Sequence, residues 1–191
     1  MDQAQLIILA AGEARRFGTP KQLALFNGRP MLQHVIEIAV DAGYRPWVAL
    51  GANCDVIRDR CSEVLGKSTV VEVEDWRCGL AASIRAVVEV LLDRNKCEGG
   101  AFIMLGDQPW LTTQHIRGIA DLVKKNPETI ICADYAGAGG VPAYFPESYL
   151  KRLASLEGDR GAKQLIAASP HICVSLGEGI KDVDTPEDLT I

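Results

Sequence analysis

Along the chain, short runs of consecutive apolar residues alternate with longer stretches in which apolar residues recur at the helical period. Leu6-Ile7-Ile8-Leu9 is apolar, with β-branched Ile7 and Ile8 at its centre, and runs directly into a glycine loop. That is the pattern of a strand buried on both faces of a parallel sheet. From residue 30, Met31, Leu32, Val35, Ile36, Ala39 and Val40 fall on one helical face, with Gln33, His34, Glu37 and Asp41 opposite, and Gly43 stops the helix. Strands are expected next at 47–50 and 69–73, separated by a helix at about 55–65. The clearest helix carries Leu80, Ile84, Val87, Val88, Leu91 and Leu92 in one stripe and leads to a strand at 101–105. A helix at 113–125, a strand at 129–133, a glycine-rich stretch at 136–140, a strand at 141–145, helices at 148–156 and 162–168 and a last strand at 172–176 complete the series.

This alternation predicts an α/β fold: a mostly parallel sheet with helices on both faces. In open sheets of this kind ligands bind beyond the carboxyl ends of the strands, so functional residues are expected just after strands. No repeat, low-complexity segment or linker interrupts the pattern, and residues 1–191 are expected to form a single domain.

Composition narrows the function classes. With 191 residues, 48% of them hydrophobic, the chain can close one substantial core without staples. The formal charge of −5 is carried by interspersed residues, which suggests neither a nucleic-acid track nor an anionic membrane surface. The first apolar segment is too short for a signal-peptide core and has no basic segment before it, so a cytoplasmic protein is expected. None of the six cysteines (Cys54, Cys61, Cys78, Cys97, Cys132 and Cys173) forms a CxxC pair, and His34, His115 and His171 are far apart along the chain. No zinc site is therefore expected, and the cysteines read as reduced, mostly buried thiols.

The most informative stretch follows the first strand: Leu9-Ala10-Ala11-Gly12-Glu13-Ala14-Arg15-Arg16-Phe17-Gly18-Thr19-Pro20-Lys21-Gln22-Leu23. Ala10, Ala11 and Gly12 let backbone N–H groups approach a ligand closely, while Arg16 and Lys21 offer fixed charge to phosphate oxygens. Together they suit a triphosphate. Arg15 cannot share the direction of its neighbour and reads as a surface residue. The spacing is neither that of a Walker A loop nor that of a dinucleotide-binding GxGxxG loop.

Two acidic positions are candidates for Mg²⁺. Asp107, in Gly106-Asp107-Gln108-Pro109, follows the strand at 101–105, and Mg²⁺ needs only one or two protein carboxylates besides substrate phosphates. The second acid would come from Asp182-Val183-Asp184, with Asp184 favoured over Asp182. Against this, Asp107 could serve only its turn, Thr185-Pro186 reads as a helix start, and Asp188 reads as structural.

The ordered set LAAGEARRFGTPKQL, GDQP, GDRGAK and DVDTPEDL resembles the molybdenum cofactor nucleotidyltransferase family, especially its cytidylyltransferase branch, over nearly the whole chain. The resemblance implies a Rossmann-like nucleotidyltransferase fold in which residues from Leu9 to Gly12 meet the nucleotide, Arg16 and Lys21 meet its triphosphate, and Asp107 binds Mg²⁺. It places Gly79 and Ser83 beside the nucleoside and Gly140 and Pro142 on the acceptor side, although capping, packing or turn roles would also account for these four. The implied partners are CTP (GTP in the related branch), a molybdopterin-type acceptor and a client molybdoenzyme. Ala14 stands where the family usually has serine, which removes a hydroxyl contact to phosphate. Ala11 stands where the guanylyltransferase branch tends to have a second glycine, which points to CTP. Two other readings remain open: the same chemistry on a sugar phosphate or other phosphorylated metabolite, and a chaperone that carries the cofactor without catalysis.

Overall fold

The computed structural model describes residues 4–14, 17–158, 161–177 and 180–189. The chain begins with β1 (Gln5–Leu9), then a single 3₁₀ turn at Lys21–Leu23 and a two-residue ribbon of β2 (Leu25–Phe26) and β3 (Arg29–Pro30). Pro30 caps α1 (Met31–Asp41), β4 (Trp47–Leu50) follows, and α2 (Cys54–Arg60) and α3 (Ser62–Leu65) lead to β5 (Thr69–Glu72). α4 (Leu80–Asp93), β6 (Ala101–Leu105) and α5 (Thr113–Lys125) come next. The chain continues through β7 (Ile130–Tyr135), β8 (Ala138–Phe145), α6 (Leu150–Ala154), α7 (Gly161–Ala167) and β9 (His171–Val174).

Seven strands form one sheet in the order β5-β4-β1-β6-β8-β7-β9. Only β8 runs antiparallel to its neighbours, so the sheet is mostly parallel. Both faces are covered. Leu6 and Ile8 of β1, Val48 and Leu50 of β4, and Phe102 and Met104 of β6 pack with α1 and α5 on one side. Ile7, Leu9, Ala49 and Ile103 pack with α4, α6 and α7 on the other. The continuous apolar runs have this cause: successive side chains of a strand point to opposite faces, and here each face meets a helix. No helix among the described residues is long and apolar enough to cross a membrane.

Four local expectations change. The helix expected at 55–65 breaks at Cys61, whose φ of −113° leaves the helical region. The glycine-rich stretch is not a loop but a hairpin turn: Ala136 (φ 53°) and Gly137 (φ 88°) connect β7 to β8, which starts at Ala138. Two successive positive φ values match the twist of the flanking strands, and the Asp134 carboxylate accepts from Gly137 N–H. The helix expected at 148–156 is a 3₁₀ turn at Glu147–Tyr149 followed by a short α6. β9 ends at Val174, leaving Leu176 outside it.

The cysteines also divide differently. Cys54, Cys61 and Cys132 are buried, and burial pushes the Cys132 thiol up to about 12. Cys78 and Cys173 are exposed. Pairing of β9 with β7 brings Cys132, His171 and Cys173 together, although Cys132 and His171 are 39 positions apart in the sequence.

Candidate active site

The loop after β1 is held from three sides. Ala10 N–H donates to the Ala49 carbonyl, the Ala11 carbonyl accepts from Ala52 N–H, and Gln22 Nε2 donates to the carbonyls of Ala10 (2.8 Å) and Gly12 (2.9 Å). Two glycines outside the loop permit this packing. A Cβ on Gly106 would lie 2.9 Å from the Ala10 Cβ, and one on Gly51 would lie 2.9 Å from the Ala11 carbonyl and closer still to Trp76. A Cβ on Gly12 would meet nothing within 4 Å. Protein packing therefore does not demand a glycine at that position, and the open space there faces a cavity. Gln22, which sequence reasoning passed over, is the buried brace of this loop. Gln22→Ala should leave the sheet intact, lower the thermal midpoint by about 2–8 °C and raise the KM for nucleotide more than it lowers kcat, as thermal melts and initial-rate kinetics would show.

The Lys21 ammonium donates to the Asp107 carboxylate and to the Val183 carbonyl (3.1 Å) and lies 3.8 Å from Asp184 Oδ1. Three segments meet at this point: the loop after β1, the turn after β6 and the chain beyond β9, which is fixed by the Val183 N–H bond to the Asp107 carbonyl. Asp107 and Lys21 are each only about one-sixth exposed. Burial raises the Asp107 pKa above the usual carboxylate range, Lys21 pulls it back down, and the nearby Asp182 pushes it up again. Asp107 Oδ1 is buried without a hydrogen-bond partner among the described residues, which leaves an oxygen lone pair open to a cation.

The two acids beyond β9 face different ways. Asp184 is exposed and sits across from Lys21. Asp182 accepts a 2.9 Å hydrogen bond from Gln108 Nε2, whose amide also lies near the Tyr135 hydroxyl and the Val141 carbonyl. Asp188 accepts from the N–H groups of Asp184 and Thr185 and so shapes the turn itself, as expected. Thr185-Pro186 opens a 3₁₀ turn rather than an α-helix.

Leu9, Ala10, Ala11, Gly12, Lys21, Gly79, Ser83 and Asp107 all line one cavity of about 490 Å³. Gly79 (φ 98°) caps α4 and Ser83 sits in its first turn, so the positive end of the α4 dipole faces this space. Trp76, with the Arg77 guanidinium 4.1 Å over its ring, forms another wall. Arg16 lies outside the described residues, as do Arg15, Asp159 and Arg160.

A second cavity of about 680 Å³ shares Leu9, Leu80 and Leu105 with the first and is lined further by Gln108, Tyr135, Val141, Lys163, Lys181 and Asp182. Gly140 and Pro142 are buried in β8 and are not among its lining residues. Gly140 instead makes room for the Tyr135 ring, which a Cβ would approach at 2.9 Å. Val141, between them, reaches the cavity.

A nucleotide-sized cavity at the carboxyl edge of a Rossmann-like sheet, sharing Leu9, Leu80 and Leu105 with a second cavity, is the arrangement of a nucleotidyltransferase. The chain belongs to the MobA-like NTP transferase domain family, whose profile matches residues 6–172. It is similar to the purine catabolism protein PucB of Bacillus subtilis, 30% identical over 205 residues that cover 95% of this chain and 92% of that protein. It is also similar to a probable molybdenum cofactor guanylyltransferase of Geobacillus, 26% identical over 71% of this chain and 66% of that protein. The crystal structure of Rv0371c from Mycobacterium tuberculosis superposes with a TM-score of 0.83 at 33% identity, covering 98% of this chain and 96% of that one. A manganese complex of Rv0371c superposes with a TM-score of 0.80 at 31% identity and the same coverage.

Proposed function

We propose that this protein transfers CMP from CTP to the terminal phosphate of a molybdopterin-type cofactor, with Mg²⁺ and with release of pyrophosphate. The observation that carries this reading is the junction of the two cavities: Asp107 lines the first and its neighbour Gln108 the second, with Leu9, Leu80 and Leu105 common to both. One cavity would hold the nucleotide, the other the acceptor, and the α-phosphorus would lie where they meet.

The residues present fit a hard divalent cation. Asp107 offers a buried free oxygen and Asp184 a second carboxylate across Lys21, and oxygen donors of this kind are what Mg²⁺ takes. The manganese complex of the Rv0371c relative supports a divalent ion as a class. Bound there, the ion would neutralise charge on the phosphoryl oxygens. The chain's own residues do the rest. The loop at Ala10, Ala11 and Gly12 receives the nucleotide, and Lys21 and Arg16 offset charge on the triphosphate as pyrophosphate departs. The α4 N-terminus at Gly79 and Ser83 completes the wall. The acceptor's phosphate oxygen, already ionised near neutral pH, attacks the α-phosphorus without a strong general base.

Base choice rests on Ala11, a lining residue of the first cavity, which stands where the guanylyltransferase branch of the resembling family tends to have a second glycine. The acceptor assignment draws on the name of the Geobacillus relative and on Lys163 and Lys181, cations suited to an anionic acceptor. Lys181→Ala should raise the KM for the acceptor about tenfold, the loss of one charge-assisted contact, and leave the KM for CTP unchanged in two-substrate kinetics.

The direct test is to incubate the protein with Mg²⁺, molybdenum cofactor and CTP, GTP or ATP in turn, following pyrophosphate and the mass of the product. A cytidine-pterin product establishes the reading. A GTP-only product replaces the base assignment, and no product with any nucleotide redirects the search to other phosphorylated acceptors or to a cofactor carrier.

A further inference from the structure

On the face of the sheet covered by α7, at the edge strand farthest from β5, Cys132 of β7 pairs in register with Cys173 of β9. Their sulfurs lie 3.7 Å apart. His171 is two residues before Cys173, and side chains of alternate residues share a sheet face. One of its ring nitrogens and the two sulfurs all lie within 4.8 Å of one another. We propose that Cys132, His171 and Cys173 form a binding site for a thiophilic divalent cation, Zn²⁺, distinct from the oxygen-donor site at Asp107.

Four observations support this site. In a tetrahedron with metal–sulfur bonds of about 2.3 Å the sulfurs stand about 3.8 Å apart, and the observed separation matches that edge without movement of either strand. The His171 Nδ1–H donates to the Ser169 carbonyl at 2.8 Å. A carbonyl can only accept, so the tautomer is set and the lone pair is left on Nε2, the arrangement in which a ligating histidine is oriented by an outer partner. Space beside the sulfurs is kept clear by glycine: a Cβ on Gly139 would stand 2.8 Å from the Cys132 sulfur and 3.7 Å from that of Cys173. His171 and Cys173 are exposed, so an ion can enter and a water can take the fourth position. Binding converts two thiols to thiolates and releases two protons to solvent, leaving a neutral Zn(S)₂N(OH₂) centre.

The consequence is mechanical. β9 is the sheet's last strand, held on one side only, and the chain beyond it returns Asp182, Val183 and Asp184 to Lys21, Asp107 and Gln108. An ion at Cys132, His171 and Cys173 pins β9 to β7 and so anchors the segment that completes the active site.

The test uses the full chain, reduced and stripped of metal, titrated with Co²⁺ as a spectroscopic stand-in and then with Zn²⁺. The expected result is one Co²⁺ per chain with a thiolate-to-cobalt charge-transfer band that Zn²⁺ displaces, together with a higher thermal midpoint and slower alkylation of Cys173 when Zn²⁺ is present. Cys173→Ser should abolish or strongly weaken the band. His171→Ala should weaken Zn²⁺ binding by more than the roughly 10- to 100-fold that loss of an outer partner costs. Both positions are exposed, so both variants keep the fold. Asp107→Asn should keep the band, which separates this site from the oxygen-donor one. A wild-type protein with no charge-transfer band, a band indifferent to His171→Ala, or a Cys132–Cys173 disulfide that peroxide forms equally fast with Zn²⁺ present would each overturn the proposal.

Discussion

Lys21→Ala lowers turnover about 100- to 1000-fold, the range seen when one preorganised donor to a developing charge is removed, while the KM for the acceptor changes little. Lys21 is the cation on which the loop after β1, the turn after β6 and the segment beyond β9 converge. Its ammonium neutralises Asp107 in the absence of nucleotide and is placed to meet the triphosphate when a divalent ion takes over that carboxylate. Alanine removes both functions. Lys21→Arg tells them apart: it keeps the charge but replaces a compact ammonium with a planar fork. It should restore the thermal midpoint more fully than it restores kcat. Single-turnover rates and melts on the three proteins measure this, and near-normal turnover of Lys21→Ala would remove the residue from the reaction.

The fold was legible in the sequence wherever a strand or helix declared its own environment. Leu6 to Leu9 reads as a doubly buried strand because both faces of β1 are covered, and α4 reads from its single stripe because only one side of it meets the sheet. The strand at 141–145 was legible, but the start of β8 at Ala138 and its antiparallel direction were not. Its turn depends on Ala136 adopting a left-handed conformation that alanine seldom takes, so the glycines suggested a loop. Within the site, the loop residues and Asp107 followed from the rule that ligands gather after strands, but their partners did not. Lys21 meets Asp107 across 86 residues and Val183 across 162, and whether Asp182 or Asp184 faces Lys21 depends on how the last segment turns. Gln22 was hidden for a different reason: a buried amide bracing two carbonyls has no periodic or motif signature. The Cys132, His171 and Cys173 group was missed because spacing rules look along the chain, and these donors meet across a strand pairing.

Asp107→Asn tests the other half of the site, and its effect depends on pH in a way that follows from burial. The substitution keeps the side chain's shape and removes its charge, so activity with Mg²⁺ should fall at least 100-fold with the fold retained. In the metal-free wild type, burial raises the Asp107 pKa above the usual carboxylate range. A carboxyl group with a raised folded-state pKa favours folding in its protonated form. That contribution is complete below the unfolded pKa and is lost as pH climbs through the folded one. Asparagine has no such titration, so as pH climbs from about 4, the ordinary carboxylate range, up through the raised folded-state pKa, the wild type should lose stability relative to Asp107→Asn when metal is absent. Mg²⁺ reverses the sign. It binds only the ionised carboxylate, so its stabilisation of the wild type should be small at the acid end of that climb and grow as Asp107 ionises, while Asp107→Asn gains little at any pH. Thermal midpoints of both proteins with and without Mg²⁺ across the same pH interval decide the matter. A Mg²⁺-induced stabilisation that is equal in the two proteins, or that does not change with pH, would place the ion away from Asp107.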